Sequence, residues 1–496
     1  MAHPAPYPRF TLPARSLATA IGDAVPGGAE AVAHLVFAGE ELPAITGIGP
    51  ERSELLGFSG ATGSALTLPT SEGPLLIAVG AGPRAEVSTA ALRDAAAAAA
   101  RAVMRVGELA IVVPETGLPD EEVSAALLEG AALARYVHRI GSDAETTALT
   151  NLTLIADAAR HDALQDGLTR GHVTLAAAEL ARDLAGTPGG ILTATRLGEV
   201  AQEYGERAGL TVEVFDEEQL VEMRLGGLLG VNLGSHEPPV MIKLRYEPAK
   251  PTGHVALVGK GIMYDSGGLA LKPADAVHAT MKNDMTGAAA ILGAMTALRD
   301  LGCTTAVTGY LMCTDNMPGG KAMRLGDIIV MRDGRTVEVT NTDAEGRLVM
   351  ADALVLATEE PVDAVVNIAT LTGAAMRALG MEIAAVLGNN DGLITMVKAA
   401  ADRVDEPVWE LPLDRRYRAE LDSPIADIRN MGGPNAGAIT AALFLETFVK
   451  DRPWAHLDIA GTAQSERAQR WHNQGTTGFG ARLLVDLAMR FDAGVL

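Results

Sequence analysis

Cysteine is almost missing from this chain. Cys303 and Cys313 are the only two among 496 residues, and they form no C-x-x-C pair. No disulfide framework can staple a fold of this size, and a reducing cytoplasm is the expected compartment. Lysine is scarce too: there are eight, and none precedes Lys243. Positive charge is in deficit, with 40 Lys+Arg against 62 Asp+Glu and a net charge of −22. Residues 1–170 carry 11 Arg, 20 acidic residues and no lysine. An acidic chain repels phosphate backbones, so nucleic-acid binding is not expected. Long apolar runs are lacking as well. The longest alanine-rich stretch, Ala90 to Val103, is broken by Arg93, Asp94 and Arg101, which excludes a membrane span there. The opening residues MAHPAPYPRF have no uninterrupted apolar core and do not read as a signal peptide. Internal repeats and low-complexity linkers are also absent.

What is present is an ordinary globular mix, 48% hydrophobic and 21% charged. At about 150 residues per domain the length suggests two or three domains. Residues 1–170 alternate β-type runs (33–37, 75–78, 109–113, 152–155) with alanine-rich helical stretches (89–106, 120–137), which predicts a small N-terminal α/β domain. Its histidines, with His3, His34, His138, His161 and His172 scattered along it, read as structural or surface residues. Residues 171–190 read as a connecting helix, HVTLAAAELARDLA at 172–185, ended by a Gly-Thr-Pro-Gly-Gly hinge at 186–190. Residues 191–496 are expected to form the larger domain. A helix near 194–208, a strand at 211–215, a glycine-rich turn region at 226–234 and a strand at 240–246 lead into it. Strands at 254–258, 306–312, 336–341 and 364–368 then alternate with helices at 281–298 and 348–357. That order predicts an α/β fold with a mainly parallel central sheet flanked by helices, and chemistry at the C-terminal ends of its strands.

Three segments place chemical residues at such boundaries. They are VGKGIMYDSGG at 258–268 with Lys272 beyond it, MKNDMTG at 281–287, and NTDAEGRL at 341–348. Together they supply Asp265, Asp284, Asp343 and Glu345 with Lys260, Lys272 and Arg347. Carboxylates gathered without a cation repel one another and rise in pKa. One or two divalent cations would relieve this, and a pair about 3.5–4 Å apart is a common device for activating water.

NTDAEGRL resembles the signature of the leucyl aminopeptidase (cytosol aminopeptidase) family, and the surrounding segments agree: VGKGIMYDSGGLALKP, MKNDMTGAAA, DNMPGGKA at 315–322, ATLTGA at 369–374 and WAHLDIAGTA at 454–463. The resemblance covers residues 172–496. It implies a two-metal enzyme that removes N-terminal residues, preferably Leu and other apolar ones, from peptides with a free N-terminus. The metals would be Mn²⁺ or Zn²⁺, held by Asp265, Asp343 and Glu345, with Asp265 and Glu345 bridging both. Lys260 and Asp284 would complete the second site. A metal-bound lysine must be neutral, which arginine cannot manage. Lys272 would polarise the scissile carbonyl and steady the oxyanion. Arg347 would hold a bicarbonate ion that acts as general base. Met281, Thr370, Gly373 and Ala460 would wall the side-chain pocket, and Leu371 would offer its carbonyl to the substrate. A homohexamer built as two trimers, with no membrane association, is also implied.

Departures from the family pattern stand at Gly186, Asn283, Thr286, Asp315, Leu325 and Asn367. None is an expected ligand, though Asn283 and Thr286 flank Asp284 and bear on selectivity. Two alternatives follow. The same fold and chemistry could serve a dedicated dipeptide or a biosynthetic intermediate. A DNA-binding or architectural role, also found in the family, is disfavoured by the acidic balance of residues 1–170.

Overall fold

The structure, a computed structural model, describes residues 7–141 and 148–496, so that His3 lies outside the described residues. The chain forms two compact units. The smaller comprises Pro13–Ala176 and Ser465–Gly475; the larger takes Ala177–Gln464, Thr476–Leu496 and residues 7–12.

The smaller unit contains a sheet of six strands: β1 (Ala18–Gly22), β2 (Ala31–Val36), β3 (Ala65–Leu68), β4 (Leu75–Gly80), β5 (Glu108–Val112) and β6 (Asn151–Ile155). Their spatial order is β1-β6-β5-β2-β4-β3, and every pairing is parallel except β3 with β4. The inner strands are the apolar runs legible in the sequence. The edge strands β1 and β3 are largely exposed, so they carry little hydrophobic signal. Two alanine-rich helices, Thr89–Ala102 and Asp120–Ala134, pack closely together. Gly130 permits this, because a Cβ there would lie 2.1 Å from the Arg93 carbonyl oxygen. The helix expected at 172–185 begins earlier, as part of His161–Gly186. Gly167 disguises that start, but it is a packing glycine whose Cβ would meet the Glu121 carbonyl at 2.1 Å.

The larger unit contributes β7 (Thr211–Phe215), β8 (Val240–Tyr246), β9 (His254–Asp265), β10 (Ala306–Asn316), β11 (Ile328–Val330), β12 (Thr336–Glu338), β13 (Ala364–Ala369), β14 (Ala384–Gly388), β15 (Val408–Glu410), β16 (Ile428–Arg429) and β17 (Trp454–Asp458). Its main sheet runs β15-β14-β17-β13-β9-β10-β8-β7. The four central strands β17, β13, β9 and β10 are mutually parallel. They are buried almost throughout, as a parallel sheet covered on both faces requires. The helices Thr286–Ala297 and Gly346–Glu359 supply much of that cover and are themselves nearly all buried. The C-terminal ends of the four strands are therefore Asp265, Asn316, Ala369 and Asp458, side by side.

Glycine accounts for most differences from the sequence reading. The strand expected at 254–258 continues to Asp265, and Gly259 and Gly261 lie within it. A Cβ on Gly259 would come 2.9 Å from Ala288 Cα, and one on Gly261 would come 2.7 Å from the Met312 carbonyl. These glycines admit neighbouring backbone rather than turn the chain. Residues 226–234, expected as a turn region, form the helix Gly226–Asn232 instead. The helix expected at 281–298 is a 3-10 turn, His278–Asn283, then a break at Asp284, then Thr286–Ala297. The strand expected at 336–341 is shortened to β12. It belongs to a separate small sheet, β11-β12-β16.

Gly227 gives a direct test of this packing. A Cβ there would sit 2.2 Å from the Leu348 carbonyl oxygen, on the helix that carries the candidate site. Gly227→Ala is expected to destabilise the larger unit by about 3 kcal/mol, the upper range for overpacking. Urea unfolding of the variant beside wild type measures it.

Candidate active site

Lys260 sits within β9 on a buried strand, where an ammonium needs partners. Its Nζ lies 2.7 Å from Asp284 Oδ2 and 2.8 Å from Glu345 Oε1, and donates to the Thr370 carbonyl at 3.1 Å. Gly346 makes room for it: a Cβ at that position would be 2.5 Å from Lys260 Cε. Asp265 ends the same strand. Its Oδ1 accepts the Gly267 N–H at 2.9 Å and an Asn316 Nδ2–H at 2.8 Å, while Oδ2 faces Lys272 Nζ at 2.8 Å. Gly267 adopts φ +87, the left-handed region, where a Cβ would also press on Asp343 Oδ1 at 2.9 Å.

Lys272 reaches back from the following loop to Asp343 as well, at 2.6 Å. The Asn341 side chain accepts the Asp343 N–H at 2.8 Å and so shapes the turn into the helix Gly346–Glu359. Asp265, Asp284 and Glu345 are 1–3% exposed, whereas the Asp343 side chain keeps a third of its surface open.

The electrostatics follow from that burial. Asp265 and Asp284 lie above the usual carboxylate range, through desolvation and then their acidic neighbours. Burial and the charges of Asp265 and Glu345 push Asp343 up to about 6. Burial also acts on Glu345, but Lys260 and Lys272 outweigh it and hold that group low. Both ammonium groups sit above their ordinary value, because the carboxylates outweigh desolvation. The cluster demands positive charge, and the two lysines meet part of that demand. One oxygen each from Asp265, Asp284 and Glu345 lie within 4.8 Å of one another. Hard oxygen donors at that spacing fit a divalent cation.

Arg347 occupies the first turn of the helix and is 6% exposed. Its Nη1 donates to the Asn430 carbonyl at 2.8 Å, and burial pushes its pKa down to about 10. Thr370 follows β13 and donates from Oγ1 to Asp284 Oδ1 at 2.7 Å. The N–H groups of Leu371, Thr372 and Ala460 all reach Asp458 Oδ1, at 3.1, 3.2 and 3.3 Å. One carboxylate thus ties the ends of β13 and β17 together. Gly373 opens an exposed helical turn, and Met281 lies half-buried just before Asp284.

Two family profiles match this sequence. The one described as the cytosol aminopeptidase family, catalytic domain, matches residues 179–485, and the corresponding N-terminal domain matches residues 34–139. The chain belongs to the cytosol aminopeptidase family. A probable cytosol aminopeptidase from Streptomyces avermitilis is 42% identical over 462 residues, covering 89% of each chain. One from Chlorobaculum tepidum is 44% identical over 380 residues, covering 74% of this chain and 75% of its own. Among solved structures, the bottromycin maturation enzyme BotP in complex with Mn superposes with a TM-score of 0.85 at 37% identity. That match covers 93% of this chain and 99% of BotP.

The protein is accordingly a peptidase hydrolase, and every charged residue of the cluster falls inside the catalytic-domain match. The acidic cluster agrees with a metal-dependent enzyme of this family. Among the described residues, no helix is long and apolar enough to cross a membrane.

The structure adds residues that sequence reasoning passed over. Asn316, at the end of β10, bridges Asp265, the Thr342 carbonyl at 3.0 Å and Glu345 at 3.4 Å. Asn430 braces the 340–344 turn through both ends of its amide. Asp458 and Asn316 stand inside family segments already noted, but an uncharged amide or a carboxylate bound to backbone N–H has no ligand-like spacing to betray it. Two of the departures meet partners rather than the cluster: Asn283 donates to Gln464 at 2.8 Å, and the Gly186 carbonyl accepts from Lys282 at 2.6 Å.

Proposed function

We propose that the protein is a two-metal aminopeptidase that releases N-terminal residues, Leu and other apolar ones first, from peptides with a free N-terminus. The observation that carries this reading is the buried Lys260–Asp265–Asp284–Glu345 cluster with Lys272 and Asp343 at its open side. Asp265, Asp284, Asp343, Glu345 and a neutral Lys260 would hold two Mn²⁺ or Zn²⁺ ions, which when bound would polarise the scissile carbonyl and activate a water. The Lys272 ammonium stabilises negative charge developing on the scissile oxygen. The Arg347 guanidinium would hold a bicarbonate ion in its planar fork, and that ion would supply a general base for the water. Leu371 offers its carbonyl to the substrate backbone, while Met281, Thr370, Gly373 and Ala460 receive the N-terminal side chain. We further propose a homohexamer in the cytoplasm, acting on small peptides and not on nucleic acid.

A second reading keeps the chemistry and changes the substrate. It is favoured by the likeness to BotP, a bottromycin maturation enzyme. A single peptide intermediate would then be the physiological substrate.

The pocket wall carries no charge, and burying an unpaired carboxylate is costly. Leucyl anilide should therefore exceed glutamyl anilide in kcat/KM by about tenfold or more, equal to about 1.4 kcal/mol. N-acetyl-leucyl anilide should not be cleaved, since its amine cannot serve as a ligand. Comparing these substrates at about pH 8, near the reference pKa of an α-amine, checks both expectations. Cleavage of the acetylated substrate would refute the aminopeptidase reading, and a preference for Glu would refute the pocket assignment.

A further inference from the structure

Behind Arg347 lies a polar chain that the reaction as described does not use. Asn367 on β13 and His456 on β17 are register partners on adjacent parallel strands, so they point to the same face of the sheet, and both are fully buried. The helix Gly346–Glu359 covers that face: Met350, one turn on from Arg347, sets its Sδ 3.5 Å from Asn367 Nδ2. Trp454 and Asp458 flank His456 two residues to either side on the same face. The Trp454 ring lies parallel to the imidazole, and the charge of Asp458 acts on Arg347.

The hydrogen bonds fix the proton on His456. An indole N–H only donates. Trp454 Nε1 lies 2.8 Å from Asn367 Oδ1, so the amide oxygen faces the indole and the NH₂ faces His456 Nδ1, at 2.8 Å. Nδ1 is thus the acceptor, and the ring proton resides on Nε2. Burial and the Arg347 charge push the His456 pKa down to about 3, so the ring is neutral. Its Nε2 is buried without a hydrogen-bond partner among the described residues, and so is Arg347 Nε. Two donors cannot bond each other, and a buried unpaired donor is costly. A water with several polar partners is the usual resolution.

We propose that Asn367 and His456 are positioning residues for Arg347. Asn367 holds His456 in the Nε2–H tautomer, and that N–H and the Arg347 Nε–H share one buried water that fixes the guanidinium. The inference rests on the reading of Arg347 as the anion-holding residue. Aspartate at 367 would reverse the polarity at almost constant shape. It would accept from both Trp454 and Nδ1–H, and leave a bare Nε2 lone pair facing Arg347.

The test uses metal-loaded enzyme labelled with ¹⁵N-histidine, with the His456 signals assigned by their loss in His456→Gln. Wild type should show a protonated Nε2 and an unprotonated Nδ1 from about pH 6 to 9. Asn367→Asp should reverse the two signals and lower kcat about tenfold, with KM for leucyl anilide within about twofold and metal content unchanged. His456→Leu should show the same kcat loss, while His456→Gln, which keeps an N–H donor, should recover most of it. A protonated Nδ1 in wild type, or an Asn367→Asp variant with wild-type kcat, would overturn the proposal. So would a high-resolution structure of the loaded enzyme without a water shared by His456 Nε2 and Arg347 Nε. Should wild type cleave no anilide at all, the aminopeptidase reading falls by itself, while the spectrum and the density still decide on the tautomer and the water.

Discussion

Exhaustive chelation is expected to abolish hydrolysis of leucyl anilide, and added Mn²⁺ or Zn²⁺ to restore it. Without a cation the Lys260 ammonium stays clamped between Asp284 and Glu345, and the site lacks the ion that would polarise the carbonyl and acidify the water. A bound divalent ion contributes several kcal/mol of charge stabilisation, so the loss should be about 10³-fold or more. Asp343→Ala sharpens the test, because Asp343 is the most exposed carboxylate of the set and the one least needed for the core. Its variant should fold, yet lose bound metal along with rate. Activity at the wild-type level in a preparation shown by elemental analysis to be metal-free would refute the two-metal reading.

Lys272→Ala should lower kcat by about 10²–10³-fold, the scale for removing one oxyanion donor, and leave the metal content near wild type. Lys272 differs from Lys260 in the feature that matters. Its side chain is 17% exposed against 3%, and it approaches Asp265 and Asp343 from the open side of the cluster. A group placed there can meet a substrate carbonyl; one enclosed by β9, Glu345 and Thr370 cannot. If Lys272→Ala instead empties the site of metal, the roles of the two lysines are reversed. Single-turnover kinetics beside elemental analysis separates the outcomes.

Much of this site was legible because its charged residues sit in three short segments with glycines between them, and because NTDAEGRL is a specific signature. The parallel sheet was legible from strands alternating with helices. What stayed hidden has a common cause. Glycine serves both turns and close approach, and the sequence does not say which. Gly259 and Gly261 hid half of β9, and Gly226 and Gly227 hid a helix. The exposed edge strands β1 and β3 lack the apolar runs that mark the inner ones. Asn316 and Asp458 act through amide and backbone partners contributed by distant segments, and no local spacing records such bonds.

The tie between Lys260 and the Thr370 carbonyl spans 110 residues of chain, and that between Leu371 and Asp458 spans 87. Loop-closure entropy must be met before contacts of that range form, so folding that depends on them is slow. Nothing resembling the cluster exists in any one segment; it comes into being only when β9, the turn at Asp284 and the 343–345 segment lie together. A divalent cation held by these residues would therefore arrive at a finished sheet and not nucleate it. During refolding from denaturant, helical signal is expected to return first and metal-binding capacity last, which circular dichroism beside a metal-binding assay at matched refolding times would check.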